Sequence, residues 1–180
     1  MATHTPTNAL LSPRPSELGR EAFVTHYGDI FEHSSWVADA AWHAGLTATH
    51  DTPDALAEHM GEQLKQAAPE QQIEVIRAHP DLAGKAAMRG ELTADSTQEQ
   101  AGAGLDQCSP EEFARFEQLN NAYKAKFDFP FVIAVKGLDR HAILAAFEQR
   151  LNNDPASERR TAIAQIIRIA TLRLRARVDG

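Results

Sequence analysis

Residues 109–127 read SPEEFARFEQLNNAYKAKF, and this stretch carries the strongest helix signal in the chain. Ser109 is a favoured N-cap, Pro110 fits the first helical turn, and Glu112 stands at the third position of a capping box. Apolar side chains behind the cap recur every three or four residues: Phe113, Phe116, Leu119, Tyr123 and Phe127. The spacing predicts an amphipathic helix that buries this face in a core.

Similar signals predict further helices on both sides of this one. They are expected from Ser16, over about 29–44, from Pro53 to about Lys65, from Pro69 to before His79, from about Arg140 to Leu151, and from Pro155 onward. The apolar run Phe129–Val135 contains a proline and has no partner strand, so it predicts a buried extended segment. We therefore expect an all-α fold, a single compact domain of about seven or eight helices over residues 16–180.

The composition limits the partners and the compartment. The formal net charge is −7 and no basic stripe is present, which argues against nucleic acid. The single cysteine excludes an intramolecular disulfide framework, and no apolar run is long enough to span a membrane. Residues 1–15, which contain three prolines, predict a disordered leader without an apolar signal core. We expect a cytoplasmic protein with no membrane partner.

His79 stands apart from the other histidines because it ends a predicted helix directly before Pro80. Such a position directs the ring into a loop, where functional side chains concentrate. Histidine suits general acid–base catalysis because it titrates near neutrality. The structural alternative is a favourable placement of charge at the C-terminal end of a helix.

Ser96 follows His79 by 17 residues and opens a second polar segment. Ser96-x-x-Glu99 ahead of a short helix has the form of a capping box, in which Glu99 bonds back to the backbone of the cap. Gln100 and the small residues of Ala101–Gly104 come next, and small residues let a ligand or another backbone approach closely. The segment is therefore a cap, a binding segment, or both.

Two further features bear on ligands. Arg173 lies between Leu172 and Leu174 on the last predicted helix, where it is either solvated or half-buried with its guanidinium offered to an anion. His79 and Asp81 are not joined by a second His–carboxylate pair of helical spacing, so we expect no metal site.

Three spaced motifs closely resemble the OHCU decarboxylase family. They are His79-Pro80-Asp81-Leu82-Ala83, then Ser96-x-x-Glu99-Gln100-Ala101-Gly102-Ala103-Gly104-Leu105, then Phe116-x-x-Leu119-Asn120-x-x-Tyr123-x-x-Lys126-Phe127-x-Phe129-Pro130-Phe131. The likeness covers roughly residues 17–178, and three motifs in order are specific where one alone would not be.

The resemblance implies an all-helical, cofactor-free lyase that forms a homodimer. It implies decarboxylation of 2-oxo-4-hydroxy-4-carboxy-5-ureidoimidazoline (OHCU) to (S)-allantoin and CO2, the last step from urate to allantoin. His79 and Glu99 are then the catalytic residues. The small-molecule substrate would be contacted by Pro80, Ser96, Thr97, Gln98, Glu99, Gln100, the backbone of Phe131, Val132, Ile133, Ala134 and Val135, and, on a looser match, Arg173.

Two other classes of protein remain open from the residues alone. In a non-enzymatic helical interaction module, His79 would be only a helix end and Ser96–Glu99 only a cap. A metal-dependent hydrolase on a helical scaffold is the weaker alternative. Stereospecific formation of (S)-allantoin would separate the decarboxylase from both.

Overall fold

The computed structural model describes residues 9–84 and 90–179, and these ranges are helical with irregular connections. Their eight α-helices are α1 (Arg20–Tyr27), α2 (Trp36–Ala44), α3 (Pro53–Lys65), α4 (Pro69–Arg77), α5 (Ala94–Gly102), α6 (Pro110–Phe127), α7 (Arg140–Arg150) and α8 (Pro155–Asp179). Short 3-10 helices occupy Pro15–Glu17, Ala48–Asp51 and Leu105–Gln107. No strand occurs within the described ranges, and the predicted all-α class is confirmed.

The helices group into two compact units. The first comprises Met1–Val75 and Ile167–Gly180, and the second comprises Ile76–Ile166. In the first unit, α1, α2 and α3 bury their apolar faces, with Phe23, Val37 and Met60 fully enclosed. Arg175 of α8 reaches Asp54 with two hydrogen bonds of 2.7 Å and so ties α8 to the start of α3.

The segment before α1 differs from its prediction. Residues 1–8 lie outside the described residues, but Leu11 is only 1% exposed and its N–H donates to the Asp51 carbonyl at 2.8 Å. The Tyr27 hydroxyl donates to the Pro13 carbonyl. The predicted disordered leader over 1–15 is therefore wrong for residues 9–15. Prolines prevent a helix there, but a buried leucine and paired backbone groups hold the segment in place.

The start of α2 also differs from its prediction. A helix was expected over about 29–44, whereas α2 begins at Trp36. Ile30, Phe31 and Glu32 are consecutive and all buried, a pattern that one face of a helix cannot produce. His33 has a φ of 49°, in the left-handed region, so the chain turns here before the helix begins.

An aromatic cluster and a buried carboxylate form the core of the second unit. The ring of Phe131 stacks on Phe147 with centroids 3.9 Å apart, and Tyr123 meets both rings edge-on. Glu158 has no exposed surface and accepts hydrogen bonds from Tyr123 at 2.6 Å and Arg150 at 2.5 Å. As predicted, the segment around Phe131 is buried, and it contains neither helix nor strand.

Candidate active site

The loop that follows α4 carries His79. The helix ends at Arg77, as Pro80 predicts, and the His79 N–H still donates to the Ile76 carbonyl at 3.1 Å. The residue is 8% exposed, so its ring lies largely inside the protein. The chain then turns sharply, and Ala83 has a φ of 50° although it is not glycine. A Cβ added to Gly84 would lie 2.7 Å from the Cβ of Asp81, so the turn requires glycine at that position.

The second motif reaches this loop through Gln100 of α5. Its side-chain oxygen accepts from the Ala83 N–H at 3.0 Å, and its nitrogen donates to the Asp81 carbonyl at 3.4 Å. Gln100 is 6% exposed, so these bonds are made away from bulk water. The first two motifs are therefore brought together, as the sequence predicts.

The third motif reaches the same loop through α6. The Asn120 side chain, 4% exposed, donates to the Leu82 carbonyl at 3.0 Å. Lys124, one turn further along, forms a 2.6 Å ion pair with Asp81. The loop therefore has a partner from α5 or α6 at each of Asp81, Leu82 and Ala83.

An open cleft of about 410 Å³ lies beside the loop. Its lining residues are Arg77, His79, Asp81, Lys124, Asp128, Phe129 and Pro130. Arg77 pairs with the Asp128 carboxylate at 2.6 Å and also donates to the Asp128 carbonyl at 2.9 Å. Two cations are thus balanced by two carboxylates in the cleft wall, and Phe129 and Pro130 add apolar surface to the lining.

Thr93, and not Ser96, is the N-cap of α5. The Thr93 hydroxyl accepts from the Ser96 N–H at 3.2 Å, and the helix starts at Ala94. The alternative that Ser96–Glu99 is a capping box is therefore wrong, because both residues lie inside the helix. The error arose because threonine, three residues earlier, is also a favoured N-cap residue. Ser96 and Glu99 lie in the last two turns before Gln100 on the same helix.

The remaining residues of the α5 segment differ in exposure. Ser96 is buried at 4% exposed, Glu99 is half-buried, and Thr97 and Gln98 are exposed. The Thr97 hydroxyl donates to the Thr93 carbonyl of its own helix at 2.8 Å. Their predicted contacts with substrate stay predictions.

The Phe131–Val135 segment is held from the core side. Arg150 donates to the Val132 carbonyl at 2.7 Å and lies over the Phe131 ring, 4.4 Å from its centroid. The Ala134 N–H donates to Gln165 at 2.9 Å. The Phe131 ring packs in the core, and the Ala134 N–H already has a partner. The predicted contact of this segment with substrate stays a prediction.

Arg173 belongs to the first unit. Its guanidinium forms a 2.9 Å ion pair with Glu32 and donates to the Ile30 carbonyl at 3.3 Å, and both side chains of the pair are buried. Arg173 is therefore neither solvated nor half-buried, as the sequence suggested, but buried with its guanidinium bound to oxygens of the protein itself. Its predicted contact with substrate stays a prediction.

Sequence reasoning did not single out four residues that now surround the loop and cleft: Arg77, Asn120, Lys124 and Asp128. One signal could have found Asn120, which falls at a core position between Leu119 and Tyr123, where a polar side chain needs a buried partner. The two ion pairs join residues 43 and 51 positions apart, so no local sequence pattern indicates them.

Two findings concern metals and membranes. Within residues 9–84 and 90–179, no group of three or more His, Cys, Asp or Glu side chains is arranged to hold a metal ion. Across the same ranges, no helix combines the length and apolar character needed to cross a bilayer.

Comparison with known proteins agrees with the three motifs. A family model described as OHCU decarboxylase matches residues 16–175. The chain belongs to this family. The family includes a 2-oxo-4-hydroxy-4-carboxy-5-ureidoimidazoline decarboxylase from Haloferax volcanii, 39% identical over 165 residues that cover 92% of this chain and 94% of the relative. A decarboxylase of the same name from Amia calva is 39% identical over 160 residues, 88% of this chain and 89% of the relative.

A solved structure also matches. The crystal structure of an (S)-allantoin synthase superposes with a TM-score of 0.74 at 27% identity, covering 95% of this chain and 54% of that one. The resemblance inferred from the motifs is confirmed.

Proposed function

We propose that this chain decarboxylates OHCU to (S)-allantoin and CO2 in the degradation of urate. One observation carries the proposal: the loop of His79 is bonded to both other family motifs, through Gln100 and through Asn120. An interaction module would have no reason to gather three separated polar motifs around one buried histidine. Family membership over residues 16–175 adds support.

The substrate supplies its own electron sink, and this explains how the reaction runs without a cofactor. The carbon that carries the carboxylate also carries a hydroxyl and adjoins a ring imine. When the C–C bond breaks, CO2 leaves and the electron pair moves into the C=N bond, whose nitrogen takes a proton. The hydroxyl then loses its proton to become a carbonyl, and the ureido-bearing carbon gains one. The protein must move these protons and direct the last of them to one face.

His79 is assigned the acid–base role next to the substrate hydroxyl. A buried histidine in a held loop can accept the hydroxyl proton and return it, which is worth about 10²–10⁴ in rate for a positioned acid or base. Glu99 would orient His79 or hydrogen-bond the same hydroxyl. Ser96 and Gln100 would bind the ureido arm or the ring amide. Gln100 retains one amide hydrogen for this purpose, since the loop uses its oxygen and one N–H.

We also propose that the protein is a cytoplasmic homodimer. The dimer is proposed on the family resemblance. Light scattering after size exclusion measures the mass directly, and a monomer at working concentration would refute the dimer. A single cysteine suits a reducing compartment, and imaging of the tagged protein in its own cells tests the location.

The deciding experiment measures the optical activity of the allantoin that forms. OHCU is generated from urate by the two preceding enzymes, and the protein is then added. We expect rapid appearance of (S)-allantoin, whereas the uncatalysed reaction gives slow racemic product. A chelator should not change the rate, and activity that required added metal would overturn the cofactor-free part. If the protein neither accelerates allantoin formation nor favours one enantiomer, the decarboxylase is refuted and the non-enzymatic interaction module remains.

A further inference from the structure

We propose that Asn120 is a positioning residue for His79: its buried side chain fixes the Leu82 carbonyl and thereby the loop that presents the histidine. The inference deepens the proposed function and rests on it. Asn120 lies outside the segments predicted to touch substrate, and its side chain donates a hydrogen bond to the loop, 38 residues away in sequence.

The first argument is the burial of the contact. Asn120 is 4% exposed, and the aromatic and aliphatic residues around it on α6, Phe116, Leu119 and Tyr123, are buried as well. Its N–H to the Leu82 carbonyl, at 3.0 Å, is therefore made where water cannot replace it. A hydrogen bond in such surroundings holds its partner more firmly than one at the surface.

The second argument is that the loop has other attachments of different kinds. Asp81 is held through its side chain by Lys124, an ion pair in which both partners are partly exposed. Ala83 is held by Gln100, which belongs to the predicted substrate-binding segment. Asn120 is the attachment that is both buried and independent of that segment, so it can hold the loop whether or not substrate is bound.

The third argument concerns the other end of the Asn120 side chain. Its oxygen is buried and has no hydrogen-bond partner among residues 9–84 and 90–179. An unmet acceptor in the interior is destabilising, and an apolar side chain of similar size would avoid it. Stability alone therefore does not account for asparagine here. The need for a donor facing the Leu82 carbonyl does, because an apolar side chain would leave that carbonyl without this bond.

The test compares variants of the full chain in the optical-activity assay. We expect Asn120→Ala to lower kcat about 10- to 100-fold with little change in KM, because a misplaced catalytic group slows the chemical step more than binding. Asn121→Ala, on the exposed side of the same helix, is the matched control and should keep wild-type kcat. Wild-type kcat in a folded Asn120→Ala protein would overturn the proposal.

A double variant shows whether Asn120 acts through His79. In a His79→Ala chain, adding Asn120→Ala should cause no further decrease in kcat, since the group that Asn120 positions is absent. A full additional loss would mean that Asn120 works independently of His79 and would overturn the proposal. Asn120→Leu keeps a side chain of similar size and removes the donor, so it should lose rate like Asn120→Ala while preserving the helical circular dichroism.

A measurement without turnover separates this inference from the proposed function. The imidazole NMR signals of His79 should shift in Asn120→Ala and stay unchanged in Asn121→Ala. Unchanged signals in both variants would refute the positioning role even in an active enzyme. An inactive wild-type protein whose His79 signals respond to Asn120→Ala would refute the decarboxylase and retain the contact between Asn120 and the loop.

Discussion

The hydroxyl of Tyr123 shows how burial changes the chemistry of a single group. Burial raises the pKa of Tyr123 above its ordinary value of 10.0, and the hydrogen bond to Glu158 raises it further. The folded protein therefore keeps this proton at a pH where the unfolded chain releases it. Because the unfolded state binds fewer protons there, the free energy of unfolding falls as the pH rises above about 10.

This linkage gives a prediction for Tyr123→Phe. At about pH 8 the variant should lose about 1.5–3 kcal/mol of stability, as expected for a lost hydrogen bond to a charged group. Between about pH 8 and pH 11, the further decrease in the free energy of unfolding should be smaller in the variant than in wild type. Urea unfolding at both pH values measures this, and an equal alkaline loss in the two proteins would contradict it.

His79→Ala tests the catalytic histidine. The variant should lower kcat by about 10² or more, because it removes a positioned acid–base group. His141→Ala is the matched control, since His141 is an exposed histidine of the same unit. Near-normal turnover by a folded His79→Ala protein would remove this residue from the mechanism.

At the scale of a helix, α5 depends on a cap that lies outside the predicted motif. Thr93→Ala should cost about 0.5–2 kcal/mol of stability, because the Ser96 N–H loses its acceptor. Thr97→Ala is the matched control, since that exposed hydroxyl donates to the Thr93 carbonyl and does not accept from a backbone N–H of the first turn. Denaturant unfolding compares them, and equal losses would show that the cap is not what stabilises the start of α5.

Helices with local start signals were the ones that sequence predicted well. Ser109-Pro110, Thr52-Pro53 and Asp154-Pro155 all precede helices that begin where expected, because proline geometry acts within one turn. The residues before α1 and α2 were predicted poorly. Their conformation depends on tertiary burial of Leu11, and of Ile30 with its neighbours, which a local pattern does not contain.

The site was predictable only where side chains lie close in sequence. The helix end at His79 and the meeting of the first two motifs followed from proline geometry and from the family resemblance. Asn120 and Lys124 were missed because their partners on the loop are 38 and 43 residues away. The cap of α5 was assigned to Ser96 because two hydroxyl residues competed for one role.

At the scale of the whole molecule, arginines of the last helix form ion pairs with carboxylates of the first unit. Arg173→Met should destabilise the protein by about 3–5 kcal/mol, because the buried Glu32 loses this charge partner. Adding Glu32→Gln should recover much of the loss, since the buried carboxylate at this position is then replaced by a neutral amide. Thermal or urea unfolding measures both. Full activity in the folded double variant would also contradict the predicted contact of Arg173 with substrate.

The left-handed turn at Ala83 has a consequence for motion. A non-glycine residue at φ 50° is disfavoured by about 1–2 kcal/mol, so the loop holds this shape only while its partners hold it. The Ala83 amide is bonded to Gln100 and is buried. Its hydrogen should therefore exchange with solvent slowly, and Ala83→Gly should slow that exchange further, because glycine adopts the left-handed turn without the steric cost of alanine. The strain at Ala83 thus sets how often the loop opens by local unfolding, more often than it would with glycine.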